Sequence, residues 1–318
     1  MIEVFKCLFL LTVGLTLLII SSDVFVDAAS SLAIRLRVPK MLIALTIASF
    51  GTCAPELAIS FHSISTGNAE MTLANVIGSC IVNILLIVGI AAIVKPIKVR
   101  ENTIRKELPI LVFVTCAFVL LLSDSIFLGK KGGLNRMDAV MLLLWFAFFM
   151  YYLITLAKNG KKERRSRSKY TLKKSIVYLI ISMIVIIGAS DLVVDNAVLL
   201  AENVGISQKI IAMTVIVIGT SLPELTMTVA SARKGEFDMA VGNIIGTNIF
   251  NIGVVLGLPT LIYGAYTTDA FNLVDTFVVL IAAFMFYIFG RSDKKLTRRE
   301  GILMLITFII YYIYLFLH

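Results

Sequence analysis

Apolar residues in this chain fall into long unbroken runs, with polar residues in short clusters between them. Ten runs stand out, near 4–22, 40–66, 71–94, 108–127, 137–157, 175–199, 208–232, 239–264, 270–290 and 301–317. A run of about twenty apolar residues is long enough to span the hydrocarbon core of a bilayer as a helix. The pattern therefore predicts an all-α integral membrane protein with ten transmembrane helices. The shorter, alternating segments of a β-barrel are absent. Proline and glycine interrupt the second and seventh runs.

Composition agrees with this pattern. Of 318 residues, 59% are hydrophobic and only 15% charged, with a mean hydropathy of +0.96. A soluble domain of this size needs more charge to cover its surface. The net charge of +9 could suggest nucleic acid or anionic lipid as a partner, but its placement follows topology instead. With the amino terminus outside and ten crossings, the inside segments hold Arg35, Arg37, Lys40; Lys95, Lys98, Arg100, Arg105, Lys106; nine residues from Lys158 to Lys174; Arg233, Lys234; and Arg291, Lys294, Lys295, Arg298, Arg299. That is 24 of the 29 basic residues; only Lys6, Lys130, Lys131, Arg136 and Lys209 fall outside. The positive-inside rule then predicts a cell-membrane protein with both termini extracellular, bilayer as partner and no nucleic acid. Lys6 ahead of an apolar stretch and Val26-Asp27-Ala28 also resemble a signal peptide, but the repeat described next requires this segment as a span. Cys7, Cys53, Cys80 and Cys116 lie within apolar runs without disulfide or zinc spacing.

The chain repeats itself. Gly51-Thr52-Cys53-Ala54-Pro55-Glu56 returns as Gly219-Thr220-Ser221-Leu222-Pro223-Glu224, and Asn75, Ser79 and Asn83 return as Asn243, Thr247 and Asn251. Asp23 and Asp27 return as Asp191 and Asp195. Every pair is separated by 168 residues. Each copy holds five crossings, an odd number, so the second copy lies inverted, as in many secondary transporters. The expected organisation is a first five-helix repeat over 1–157, a basic cytoplasmic linker over 158–174 and a second, inverted repeat over 175–318.

Glu56 and Glu224 stand within apolar helices. A carboxylate there is costly, and such residues usually face a cavity and serve function; the bland reading is two neutral glutamates holding helices together. Pro55 and Pro223 deprive the carbonyls of Gly51 and Gly219 of their helical donors. Carbonyls, hydroxyls and one carboxylate per repeat form an all-oxygen set, suited to calcium and sodium rather than copper or zinc. Asn75, Ser79 and Asn83, four residues apart, share one helix face, as do Asn243, Thr247 and Asn251. The outer members, Asn75 and Asn243, also fit plain interhelical hydrogen bonding.

The paired hexapeptides, with Asn-x-Ile-Gly-Ser-x3-Asn and Asn-x-Ile-Gly-Thr-x3-Asn, resemble the alpha-repeats of the calcium/cation antiporter superfamily, in particular prokaryotic sodium/calcium exchangers. The resemblance covers nearly the whole chain. It implies that Glu56 and Glu224 bind both calcium and sodium, and that Thr52 and Thr220 offer backbone carbonyls to calcium. It also implies that Ser221 and Thr247 line one sodium site, with Cys53 and Ser79 in the mirror site. The carbonyls of Ser49 and Val217 complete the two sodium sites. From their own position, Ser79, Thr247, Asn83 and Asn251 sit deeper beside small residues than Asn75 and Asn243 and are the better candidates for cation contact. Three sodium ions per calcium are implied, by alternating access, with no resident cofactor and a monomer as the working unit. The helices bearing the paired aspartates, near their far ends, look like a sliding gate in relatives. Two departures matter. Many relatives have serine where Cys53 stands, and a thiol is a poor sodium ligand. Several carry aspartate where Asn251 stands, a form tied to potassium dependence.

Other classes fit less well. The chain has only His62 and His318 and no zinc-hydrolase motif, so an intramembrane enzyme is disfavoured, and His62 is expected as an interface residue. Channels place carboxylate rings around an oligomeric pore, whereas this site is assembled within one chain. Proton/calcium and potassium-dependent sodium/calcium exchange are the alternatives within the antiporter class.

Overall fold

Backbone groups in hydrocarbon find no water, so apolar runs fold into helices that satisfy them internally. The computed structural model describes residues 2–67, 69–127, 132–159, 168–203, 217–268 and 273–317. In chain order these form α1 (Ile2–Leu36), α2 (Lys40–Thr52), α3 (Ala54–Ser65), α4 (69–94), β1 (Ile97–Lys98), α5 (103–127), β2 (Gly132–Leu134), α6 (Arg136–Asn159) and α7 (Leu172–Asn203). The remainder are α8 (Val217–Thr220), α9 (Leu222–Lys234), α10 (Phe237–Tyr263), β3 (Tyr266–Thr268), α11 (Leu273–Ser292), β4 (Lys295–Leu296) and α12 (Arg298–Leu317). Among the described residues seven helices are long and apolar enough to cross a membrane, and the bent pair α2–α3 makes an eighth candidate. The expected residues Lys130, Lys131, Lys209, His318, the linker core 160–167 and the first part of the seventh run lie outside the described residues.

Two helices run longer than hydropathy predicts. α1 continues to Leu36 and α7 covers Leu172–Asn203, so Asp23 and Asp27 lie inside α1 and not near its far end. The helix tolerates them because lysines reach both. Lys234 sits 2.7 Å from Asp27 and 3.7 Å from Asp23, and Lys169 sits 2.5 Å from Asp27.

α4 and α10 form the centre. In their most apolar windows 78% and 89% of residues are buried, against 22–33% for α1, α6, α7 and α11. Isoleucine, valine and leucine of both helices fill one large core together with α5, α11 and α12. A smaller core lies between α1 and α7, around Leu18, Phe25, Ile186 and Val193. Large apolar side chains such as Phe113, Phe148, Ile184 and Ile310 face outward, as they do against lipid.

Close approach at the centre depends on glycine. A Cβ at Gly246 of α10 would stand 2.2 Å from Ser49 Oγ and 2.9 Å from the backbone of Leu45. Its counterpart, Gly78 of α4, faces Val217 in the same way at 3.0 Å. Positions 49 and 217 are themselves 168 apart, so each half lays its broken helix on the other half's central glycine.

The described parts of the five basic segments meet at one end of the molecule. Lys40 pairs with Glu236 and Arg100 with Asp238, each at 2.7 Å. Lys95 donates to the Arg233 carbonyl, Lys294 pairs with Glu101, and Arg35 donates to the Tyr170 carbonyl. A two-stranded ribbon at this end pairs β1 with β4, Ile97 opposite Leu296. A second ribbon pairs β2 with β3, Gly133 opposite Thr267. Each ribbon joins a strand of one half to a strand of the other.

Candidate functional site

The site forms where two helices break. α2 ends at Thr52, and Cys53 leaves helical geometry at φ −81°, ψ 4°. α8 ends at Thr220, and Ser221 does the same at φ −90°, ψ 6°. Two positions 168 apart thus carry one backbone distortion, for one reason: the proline two residues on supplies no N–H. α2 and α3 meet at a 45° bend. The glutamate is the third residue of each new helix, where the positive end of the helix dipole favours a carboxylate.

Glu56 and Glu224 are 1% and 0% exposed. They lie within electrostatic reach of each other, and Glu224 lies beside Thr52 of the other half. Among the described residues Glu56 Oε2 and both Glu224 carboxylate oxygens lack a hydrogen bond of ordinary geometry, the Thr52 hydroxyl being the polar group close to Glu224. Ser79 Oγ, Ser221 Oγ, Thr247 Oγ1 and both amide atoms of Asn83 and Asn251 are also buried and unpaired among the described residues. An unpaired buried polar atom costs about 1–3 kcal/mol, and a charged one more. Ten such atoms fall on seven of the candidate residues, and eight of them are oxygens. Carboxylate, hydroxyl and amide oxygens suit a hard cation. No three His, Cys, Asp or Glu converge among the described residues, so the charge of the site comes from its two glutamates.

The remaining candidates are placed differently. The Ser49 carbonyl accepts the Cys53 N–H at 3.1 Å and the Thr52 hydroxyl at 3.2 Å. The Val217 carbonyl accepts the Thr220 hydroxyl at 3.1 Å. Both carbonyls are thus engaged within their own turns. The Ser49 hydroxyl donates to Ala44 at 2.6 Å and reaches the Asn243 carbonyl at 3.1 Å, joining the halves. The Cys53 thiol is fully buried, 3.9 Å from the Thr247 carbonyl. Asn243 donates to Thr228 at 3.2 Å, the interhelical role open to it from the sequence. His62 is exposed on α3.

Hydropathy gave no sign of four features. Asn83 and Asn251 sit at the start of π-helical stretches, Val82–Val88 and Asn251–Leu256. Such widened turns are frequent at functional sites, and no periodicity announces them. Ser60 and Ser63 of α3 are buried with unpaired hydroxyls. Ser190 donates to the carbonyl of Gly219 at 3.0 Å; the offset of 168 pairs it with Ser22, and each serine immediately precedes a repeated aspartate. A charged cavity of about 840 Å³ also opens beside Asp23, Asp27, Lys40, Lys169, Lys234 and Glu236.

Two buried carboxylates 168 residues apart thus stand at proline breaks. The family model described as sodium/calcium exchanger protein matches residues 6–155 and 174–317, nearly the whole chain. The chain belongs to the sodium/calcium exchanger family. Inner membrane protein YrbG of Escherichia coli (strain K12) is 36% identical over 315 residues, covering 95% of this chain and 94% of its own. Sodium/calcium exchanger MaX1 of Methanosarcina acetivorans is 29% identical over 341 residues, covering 96% and 97%. A solved structure of the sodium-calcium exchanger NCX_Mj, soaked with zero Na+ and Ca2+, superposes with a TM-score of 0.83. It has 33% sequence identity and covers 98% of this chain and 99% of that one. This member of the exchanger family is a multi-pass membrane transporter, not an enzyme.

Proposed function

We propose that this chain exchanges sodium for calcium across the membrane by alternating access, with both ions bound at a midplane site shared by two inverted five-helix repeats. The observation that carries the reading is the pair Glu56 and Glu224, one from each half, buried together with unpaired carboxylate oxygens. One calcium balances two carboxylates. Sodium ions occupying parts of the same site do so too, and shared ligands make the two cargoes compete. A site left unfilled keeps uncompensated charge in a low-dielectric surrounding, which penalises the switch between states and couples the fluxes.

In this reading Glu56, Glu224, Ser79, Asn83, Ser221, Thr247 and Asn251 supply side-chain oxygens, and Thr52 and Thr220 supply carbonyls. The carbonyls of Ser49 and Val217 contribute through their second lone pairs. Cys53 is the weak member of the mirror sodium site. Ten spans, repeats over 1–157 and 175–318, both termini outside and a monomeric working unit complete the proposal. The paired breaks, the reciprocal glycine contacts and the gathering of five basic segments at one end support this topology. Neutral Asn251 favours sodium without potassium.

Radiolabelled calcium uptake into proteoliposomes tests the proposal. Uptake is expected under an outward sodium gradient and not under a proton gradient alone, and Glu56→Gln and Glu224→Gln should each abolish it. Uptake driven by protons without sodium, or undiminished in either variant, would overturn the reading.

A further inference from the structure

Pro223 removes the N–H that would pair with the Gly219 carbonyl, and a donor arrives from another helix. Ser190 of α7 gives its hydroxyl to that carbonyl at 3.0 Å. Ser190 is buried, and Gly219 is too close to α7 for a side chain, since a Cβ would meet Val194 Cγ2 at 2.3 Å. α7 is therefore seated on the break in the second half. The peptide held in this way leads directly to Thr220 and the turn before Glu224.

The matching positions in the first half are Ser22, Gly51 and Pro55. Pro55 takes the regular helical donor from the Gly51 carbonyl for the same reason; that carbonyl accepts a backbone N–H at the helix cap instead, which leaves its second lone pair for a hydroxyl. Ser22 is 0% exposed, yet its hydroxyl has no partner among the described residues. A buried helical serine ordinarily turns back to the carbonyl four residues earlier, as Ser21 and Ser182 do here. At Gly51 the nearest atoms to a Cβ belong to Met183 of α7, none of them to α1. One half has its serine contact made, and the other has a buried donor left idle.

We propose that Ser190 and Ser22 are a pair of positioning residues for ion exchange, donating by turns to the carbonyls that lose their helical donors to Pro223 and Pro55. In the state described here Ser190 holds Gly219. In the mirror-related state Ser22 holds Gly51, and Ser190 releases. This inference rests on the reading of two inverted halves that open alternately. Each serine orients the ligand-bearing turn of its own half and stabilises only the state in which it is engaged. One neutral hydrogen bond shifts a two-state equilibrium about five-fold.

The test uses the full chain with Ser190→Ala, Ser22→Ala and Ser190→Thr. Hydrogen–deuterium exchange without sodium or calcium should rise over 217–224 in Ser190→Ala and remain unchanged there in Ser22→Ala. Ser190→Thr, which keeps the hydroxyl, should restore the wild-type pattern. In oriented proteoliposomes the ratio of half-saturating calcium at the two faces should move about five-fold in opposite directions for the two alanine variants. Shifts in the same direction, or unchanged exchange over 217–224 in Ser190→Ala, would overturn the proposal. Failure of sodium-driven uptake in the wild type, with the exchange pattern as expected, would remove the sodium reading and leave the serine pair standing.

Discussion

Gly246→Ala tests whether the two halves meet as closely as the site requires. The new Cβ would lie 2.2 Å from Ser49 Oγ and 2.9 Å from Leu45 Cα and its carbonyl, where ordinary contact begins at 3.4 Å. Ser49 can rotate away, but doing so gives up its bonds to Ala44 and Asn243, at about 1 kcal/mol. Leu45 is backbone, so α2 must move outward by roughly half an ångström, an overpacking cost of about 1–3 kcal/mol. The sum is about 2–4 kcal/mol, and the displaced helix carries the Cys53 break. Two controls grade the argument. Gly78→Ala meets only a Val217 methyl at 3.0 Å and should cost less, and Gly188→Ala meets nothing within 4 Å and should stay within about 1 kcal/mol of wild type. Thermal unfolding in detergent and calcium uptake in vesicles provide the assay. Equal damage from all three, or an unaffected Gly246→Ala, would refute the claimed contact.

Other predictions follow from single contacts. Cys53→Ser replaces a poor ligand with a hydroxyl at the position matching Ser221, so half-saturating sodium in transport assays should fall; unchanged sodium dependence would remove Cys53 from the site. Lys234→Met removes the cation that joins α9 to Asp27 and Asp23 of α1. It should lower the melting temperature at low ionic strength by an amount that shrinks in about 0.5 M salt. Lys294 and Arg105 hold the Glu101 carboxyl below its ordinary value of 4.5. A depressed folded-state value means that the stabilisation is complete above pH 4.5 and is lost as pH falls through the lower folded value. The gap in melting temperature between wild type and Glu101→Gln should therefore close as pH falls from 6 to 3.

The two glutamates could be read from the sequence because an ionisable residue inside an apolar run is conspicuous in one dimension. Ser79, Asn83, Thr247 and Asn251 could be read because helical spacing puts them on one face, and the offset of 168 gave each a second witness. The engaged carbonyls of Ser49 and Val217 could not, since the donors that reach them depend on the shape of a broken turn. The Ser190 contact also escaped notice, since it joins residues 29 apart on different helices. The lysine partners of Asp27 were hidden too: Lys234 lies more than 200 residues away, and nothing in local pattern links them.

By itself, then, the amino-acid order determined the membrane class, the break points and the residue types of the candidate site. Bilayer thickness sets the length of an apolar run, a missing proline N–H breaks a helix wherever it occurs, and duplication stamps one register on both halves. Tertiary structure alone decided which oxygens remain unpaired, which glycine admits a neighbouring backbone, and which half has its serine engaged. Those outcomes turn on how closely distant helices approach, and differences of half an ångström between packed backbones leave no mark on the linear sequence.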